Sequence, residues 1–258
     1  LRDRAPLPAD PSLCPPLPVD AAGRLDEGCA ALGIGELPSG TRAAMLDHLR
    51  LLLAWTTAVN LTAIRDPRAA VTRHVLDSLA ALPVLRASRA ARILDLGSGG
   101  GYPGLPLALA LPAERALLVE SIAKKAAFLE VAVAAVGVAG RVAVVGVRAE
   151  ALAADRRQRE GWQAVTVRAV ASLPVLVELA FPLLAPGGVL VAWKRIDQGD
   201  EQARALPTIA ALGGGTMEVV GPPPVAGLED HLLVVVRKEG RTGAGWPRSP
   251  AERKRHPW

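Results

Sequence analysis

The chain is predicted to fold as an α/β doubly wound, Rossmann-like sheet of seven strands, mostly parallel, behind an N-terminal helical segment. Three observations predict it. From Arg92 onward, short apolar runs alternate with helix-length amphipathic segments, which implies a parallel sheet covered on both faces. One such run, Arg92-Ile93-Leu94-Asp95-Leu96, breaks into Gly97-Ser98-Gly99-Gly100-Gly101-Tyr102-Pro103-Gly104. About twenty residues later a second run, Ala116-Leu117-Leu118-Val119, ends in Glu120. A strand that ends in glycines lets the backbone turn with positive φ and approach a ligand closely. A carboxylate ending the next strand can take both hydroxyls of a ribose. A nucleoside-bearing cofactor at the carboxyl edge of the sheet is therefore expected.

The strands are expected at 92–96, 115–119, 141–147, 163–168, 188–193, 216–220 and 231–237. Helices are expected near 104–111, 122–136, 172–184 and 199–211. The last two strands follow each other without a helix, so they should form an antiparallel hairpin at one edge. Residues 1–20 carry six prolines and should be a disordered, mobile tail. Residues 21–90 should be the helical segment, with Ser39 capping a helix that buries Leu46, Leu49, Leu52, Leu53 and Trp55. Residues 91–238 form the cofactor-binding core, and 239–258 read as a flexible basic tail.

Half of the 258 residues are apolar but only 3% are aromatic, so the core must be built from Ala, Val and Leu. That suits buried parallel strands. The formal charge of +5 is compatible with a polyanionic partner. Two cysteines, Cys14 and Cys29, make neither a disulfide framework nor a zinc site and point to a reducing cytoplasm. No apolar run is long enough to span a bilayer, so no membrane association is expected.

The glycine loop admits two readings. Gly99-x-Gly101-x-x-Gly104 satisfies the dinucleotide fingerprint. Asp95-x-Gly97-x-Gly99-x-Gly101 is instead the loop of S-adenosylmethionine (AdoMet) methyltransferases. Asp95 favours the second, because a pyrophosphate would be repelled there and a methionine ammonium welcomed. Pro103 removes one backbone donor from the presumed pyrophosphate turn. Further along, Asp66-Pro67 can start a helix, and Arg73 and Asp77 stand one helical turn apart, as do His74 and Ser78. On local grounds Arg73 with Asp77 is a surface ion pair and His74 packs on the sheet.

With these motifs in order, the chain resembles the bacterial small-subunit ribosomal RNA guanine-N7 methyltransferases, the glucose-inhibited division protein B family. The match runs through Asn60-Leu61-Thr62, Arg65-Asp66-Pro67, Arg73-His74 and Leu76-Asp77-Ser78. It continues through 95–104, Glu120-Ser121, Lys124-Lys125 and Phe128-Leu129 to Arg168-Ala169-Val170-Ala171-Ser172-Leu173, and covers roughly 25–238. Glu120 stands where many members carry aspartate, Lys125 where arginine is usual, and Val170 where an aromatic is common.

The resemblance implies a class I methyltransferase core and the cofactor AdoMet, with no metal. It implies a target guanine, methylated at N7, in the helix 18 loop of 16S rRNA near the decoding centre. Asp95, Gly97, Gly99 and Gly101 should meet the methionine part of the cofactor, and Tyr102 should close over the site. Glu120 with Ser121 should hold the ribose, and Ala149 with Glu150 the adenine. Arg168, at the end of the fourth strand, should line the transfer site as the catalytic candidate, or else pair structurally with an acid of the helical segment. Arg65, Arg73, Lys124, Lys125, Lys194 and Arg195 are the candidates for RNA phosphate contacts. The run Arg253-Lys254-Arg255-His256 reads as solvated. The chain is expected to act as a monomer. Other readings are an AdoMet enzyme on a small molecule or protein, a nicotinamide oxidoreductase, and a non-catalytic RNA-binding assembly factor.

Overall fold

The structure, a computed structural model, describes residues 6–168, 171–196 and 200–258. Ala169 and Val170 of the Arg168–Leu173 motif lie outside the described residues. The sheet has seven strands in the order β3-β2-β1-β4-β5-β7-β6. These are β1 Arg92–Leu96, β2 Arg115–Val119, β3 Val142–Val145, β4 Trp162–Arg168, β5 Leu184–Arg195, β6 Gly215–Val220 and β7 His231–Lys238. β1 to β5 run parallel, and β7 pairs antiparallel with both β5 and β6. The expected edge hairpin is present, but β7 sits inside it against β5 and leaves β6 outermost. The burial patterns agree, because β7 is nearly continuously buried while β6 is mostly exposed.

Five helices precede the sheet: α1 Ala21–Ala31, α2 Thr41–Trp55, α3 Pro67–Ala70, α4 Asp77–Leu79 and α5 Leu82–Ser88. The N-cap of α2 is Gly40, with φ of 77°, and not Ser39. Asp66 does cap α3, its carboxylate accepting from Ala69 N at 2.9 Å. Between α3 and α4, Val71–Leu76 winds as a π-helix. Around the strands lie α6 Gly104–Ala110, α7 Ala123–Ala135, α8 Ala149–Ala154, α9 Leu173–Ala180, α10 Glu201–Ala211 and α11 Pro250–Arg255. Apolar side chains divide into two clusters, one on each face of the sheet. This follows from β1 and β2 being buried along nearly their whole length.

Both terminal segments depart from the expected tails. Residues 7–17 lie against α2: Trp55 Nε1 donates to the Pro8 carbonyl at 2.7 Å, and Arg50 Nη2 to the Cys14 carbonyl at 2.7 Å. Cys14 is buried, and Leu7 and Leu17 pack on the core. A proline-rich strand has unbonded carbonyls and little entropy to lose, so it docks readily onto side-chain donors. At the other end, Arg159 donates to the carbonyls of Thr242, Gly243 and Trp246 at 3.1, 2.6 and 2.8 Å. Thr242 is buried, its hydroxyl on the Leu212 carbonyl at 2.7 Å. No helix among the described residues is long and apolar enough to cross a membrane.

Candidate functional site

The parallel strands reverse their order at β1 and β4, and all deliver their carboxyl ends to one edge. In open α/β sheets that crevice is where ligands bind. Two cavities lie there. One, of about 250 Å³, is lined by Leu96, Gly97, Val119, Ser121, Ala149 and Glu150, among others. The second, of about 670 Å³, is lined by Arg73, His74, Asp77, Arg168, Trp193 and His231, among others. Ala171 lines both. Apolar walls with a few converging polar groups are what a nucleoside pocket requires.

Of the residues expected to hold a cofactor, Gly97, Ser121, Ala149 and Glu150 therefore reach the smaller cavity. Asp95 does not. It is buried; Oδ2 accepts from Gly104 N at 3.2 Å and Oδ1 from Thr166 Oγ1 at 2.7 Å. Thr166 is its register partner across β4, so the acid is spent on tying the loop to the neighbouring strand. Glu120 also turns inward, accepting from Gly99 N at 3.0 Å and Ile122 N at 2.8 Å. Each of its oxygens keeps a second lone pair. Gly97, Gly99 and Gly101 have φ of 69°, 55° and 88°, as a glycine turn of this kind requires. Gly101 serves packing instead of the cavity, because a Cβ there would stand 2.8 Å from His48 Nε2.

Tyr102 lines neither cavity. It is buried between His48 and His74, with ring centroids 4.4 and 4.9 Å away, and the Arg168 guanidinium lies 5.8 Å from its ring. The loop folds its one aromatic toward the helical segment, where offset stacking is favourable.

Arg168 joins the two expectations made for it. Nη1 donates to Asp77 Oδ2 at 2.9 Å and to the Arg73 carbonyl at 3.0 Å. It is thus the structural partner of an acid in the helical segment, and it also lines the larger cavity. Asp77 is 1% exposed and does not pair with Arg73. The π-helical turn rotates the residues out of α-helical spacing, so Asp77 points inward. Its other oxygen meets His231 Nδ1 at 2.9 Å, and its carbonyl accepts from Trp193 Nε1 at 2.9 Å. The tautomer of His74 follows from its neighbours. Arg168 Nη2, which can only donate, lies 3.3 Å from Nδ1, so the proton sits on Nε2 and is given to Thr62 Oγ1 at 2.8 Å. Burial, then Arg168, lowers the His74 pKa to about 3. Burial also lowers that of His48 to about 4, its Nε2 donating to the Gly100 carbonyl at 2.8 Å.

These histidines have a measurable consequence. A pKa below the free value of 6.5 means that their stabilising contribution is complete above pH 6.5. It is lost on acidification, at about 1.4 kcal/mol per pH unit for each histidine. Burial pushes Asp95 up to about 6 from 3.8, which acts with the opposite sign below pH 6. The melting temperature is expected to fall as pH drops from 6.5 toward 4. His48→Gln should flatten that fall, and an unchanged profile in the variant would assign the acid sensitivity elsewhere.

The expected RNA-contact residues divide. Arg73, Lys194 and Arg195 border the larger cavity. Lys194 is nonetheless engaged, with Nζ 2.7 Å from Glu201 and 2.9 Å from the Ala171 carbonyl, and 8% exposed, so it is not free for a phosphate. Arg195 is paired at the surface with Asp230 at 3.3 Å. Arg65 is exposed and donates to the Thr56 carbonyl at 3.1 Å. Lys124 is exposed and Lys125 half-buried at the start of α7. Two site residues were not expected from the sequence. His231 opens β7, and because β7 runs antiparallel to β5, its start lies beside Arg195 at the functional edge. Arg253 of α11 borders the smaller cavity. Among the described residues no group of His, Cys, Asp or Glu is arranged to hold a metal.

Comparisons with known proteins bear on the fold and the family. An O-methyltransferase from Bacillus cereus, in complex with SAH, superposes with a TM-score of 0.57 at 20% identity, covering 83% of this chain and 97% of that one. At that identity the likeness concerns the fold alone. In sequence, the ribosomal RNA small subunit methyltransferase G of Roseiflexus castenholzii is 45% identical over 207 residues, 78% of this chain and 86% of its own length. That of Azoarcus sp. is 42% identical over 218 residues, 84% of this chain and 96% of its own length. The family model described as GidB, rRNA small subunit methyltransferase G, matches residues 41–220. The chain belongs to the GidB family of small-subunit rRNA methyltransferases.

Proposed function

We propose that the enzyme uses AdoMet to methylate N7 of a guanine in the helix 18 loop of 16S rRNA, acting as a monomer. The observation that carries the reading is the placement of Arg168 at the end of a central strand, beside two adjoining cavities at the sheet's switch point. The smaller cavity suits the cofactor. Its apolar walls can take an adenine, and Ser121, Glu150, Arg148, Arg253 and the Gly97 backbone are polar groups around them. Glu120, just behind the loop, retains lone pairs for a ribose. Asp95 acts through the loop it ties down. Bound AdoMet supplies an electrophilic methyl group on a sulfonium.

The larger cavity suits the target base. Guanine N7 has an exposed lone pair and carries no proton at neutral pH, so methylation there needs no general base. The groups around this cavity fit such a reaction. His74 is held neutral with both ring nitrogens engaged, and Asp77 is committed to Arg168 and His231. Arg168 and His231 are therefore orienting groups, and rate comes from alignment and approach distance. Arg65, Arg73, Lys124 and Lys125 are the cations proposed to meet phosphates.

Nucleoside analysis of small-subunit rRNA from cells lacking the protein is expected to show loss of one 7-methylguanosine, restored by the intact gene. An unchanged 7-methylguanosine content would overturn the assignment of base and atom. Lys124→Ala with Lys125→Ala is expected to weaken RNA binding and to lower the log–log salt slope by about two units. Cofactor affinity should stay as it is. A slope equal to that of the unaltered protein would make this the solvated face of α7 only.

A further inference from the structure

The segment after β7 lies beyond residues 41–220, which the family model matches. It is held in place by a buried carboxylate. Glu178 of α9 is fully buried and accepts from Arg248 N, Nε and Nη2 at 2.8, 3.1 and 2.6 Å. It also accepts from Trp258 Nε1 at 2.5 Å. The rings of Trp246 and Trp258 stack at 5.5 Å, and the Arg248 guanidinium lies over both, at 5.1 and 4.6 Å. α11 starts from this anchor with a Ser249–Glu252 capping box. Arg253 then points back toward the sheet. Its guanidinium donates to Glu150 Oε1 and to the Arg248 carbonyl, and stands 3.8 Å from Glu178 Oε1. Arg253 and Glu150 are 12% and 20% exposed, and both border the smaller cavity.

We propose that Arg253 is a positioning residue for the adenine end of the cofactor, acting through Glu150. The inference rests on reading the smaller cavity as the cofactor site. Arg253 occupies one oxygen of Glu150, and among the described residues no protein donor meets the other, Oε2. That oxygen is left to accept from an exocyclic amino group. Without Arg253, a glutamate on the first turn of α8 would be free to rotate away, and ligand binding would have to order it. The guanidinium also neutralises a carboxylate that would otherwise stand partly desolvated beside a neutral ring.

The test is calorimetric titration of the full chain with S-adenosylhomocysteine and with adenosine, with melting temperatures measured on the same preparations. Arg253→Ala is expected to weaken both ligands by the same factor, about tenfold, because the methionine end is untouched. Arg253→Lys should recover part of the loss, since it keeps the charge but not the planar fork. In a Glu150→Gln background, Arg253→Ala should add less than about twofold, because its effect passes through Glu150. Unchanged or tightened binding in Arg253→Ala overturns the inference, as does an equal loss in both backgrounds. If Glu150→Ala itself leaves the affinity unchanged, the reading of the cavity fails. If Glu150→Ala weakens binding and Arg253→Ala does not, only the role of Arg253 fails.

Discussion

Arg168→Ala is expected to lower single-turnover methyl transfer onto small-subunit rRNA by about a hundredfold or more. The same change should cost stability. Arg168 ties the end of β4 to the helical segment through Asp77 and the Arg73 carbonyl, at 2.9 and 3.0 Å. Breaking a buried ion pair costs about 3–5 kcal/mol. Asp77 keeps His231 as a second partner, so a loss near about 3 kcal/mol is expected, and a melting temperature lower by about 6–12 °C. The two effects separate when transfer is measured well below the melting range and expressed per folded molecule. A rate that falls only with the folded fraction would leave Arg168 as a tie between two elements. Arg168→Lys sharpens the comparison. An ammonium can still pair with Asp77 but cannot also reach the Arg73 carbonyl and His74 in the fork geometry. Lysine should therefore restore more of the stability than of the rate.

The sheet was legible because its signals are local. Each apolar run and the glycines after it stand within ten or so residues, and β1, β2 and the turn at Gly97 appear where the pattern puts them. The direction in which a side chain turns is not local. Asp95 and Glu120 stand at strand ends where the pattern puts them, but neighbouring backbone N–H groups and Thr166 draw both carboxylates into the loop. Lys194 reads as a free cation until α10 brings Glu201 within 2.7 Å. The pairing of Asp77 with Arg168 and His231 joins residues 91 and 154 positions apart, and a π-helical turn sets its direction. His231 could have been found from the antiparallel hairpin, since reversing a strand moves its first residue to the ligand edge. Arg253 could not, because a basic run after glycines and prolines looks alike whether it is solvated or held by a buried Glu178.

Two glycines of one loop should separate binding from folding. Gly97 borders the smaller cavity with φ of 69°, and its N–H is tied to the Val119 carbonyl at 2.9 Å. A β-branched residue is strained in that backbone region by about 1–3 kcal/mol and adds bulk at a position that lines the cavity. Gly97→Val is expected to reduce S-adenosylhomocysteine affinity by about a hundredfold or more while the protein remains folded. Gly101 has φ of 88° and faces inward, where an added Cβ would meet His48 Nε2 at 2.8 Å and Leu129 at 3.3 Å. His48 cannot retreat easily, since it is stacked on Tyr102 and bonded to the Gly100 carbonyl. Gly101→Ala should therefore lower the melting temperature more than Gly97→Val does, with affinity retained by the molecules that stay folded. Calorimetric titration and thermal unfolding of both variants measure the contrast. Normal affinity in a folded Gly97→Val protein would take the glycine loop out of the cofactor site, whatever Gly101→Ala does to stability.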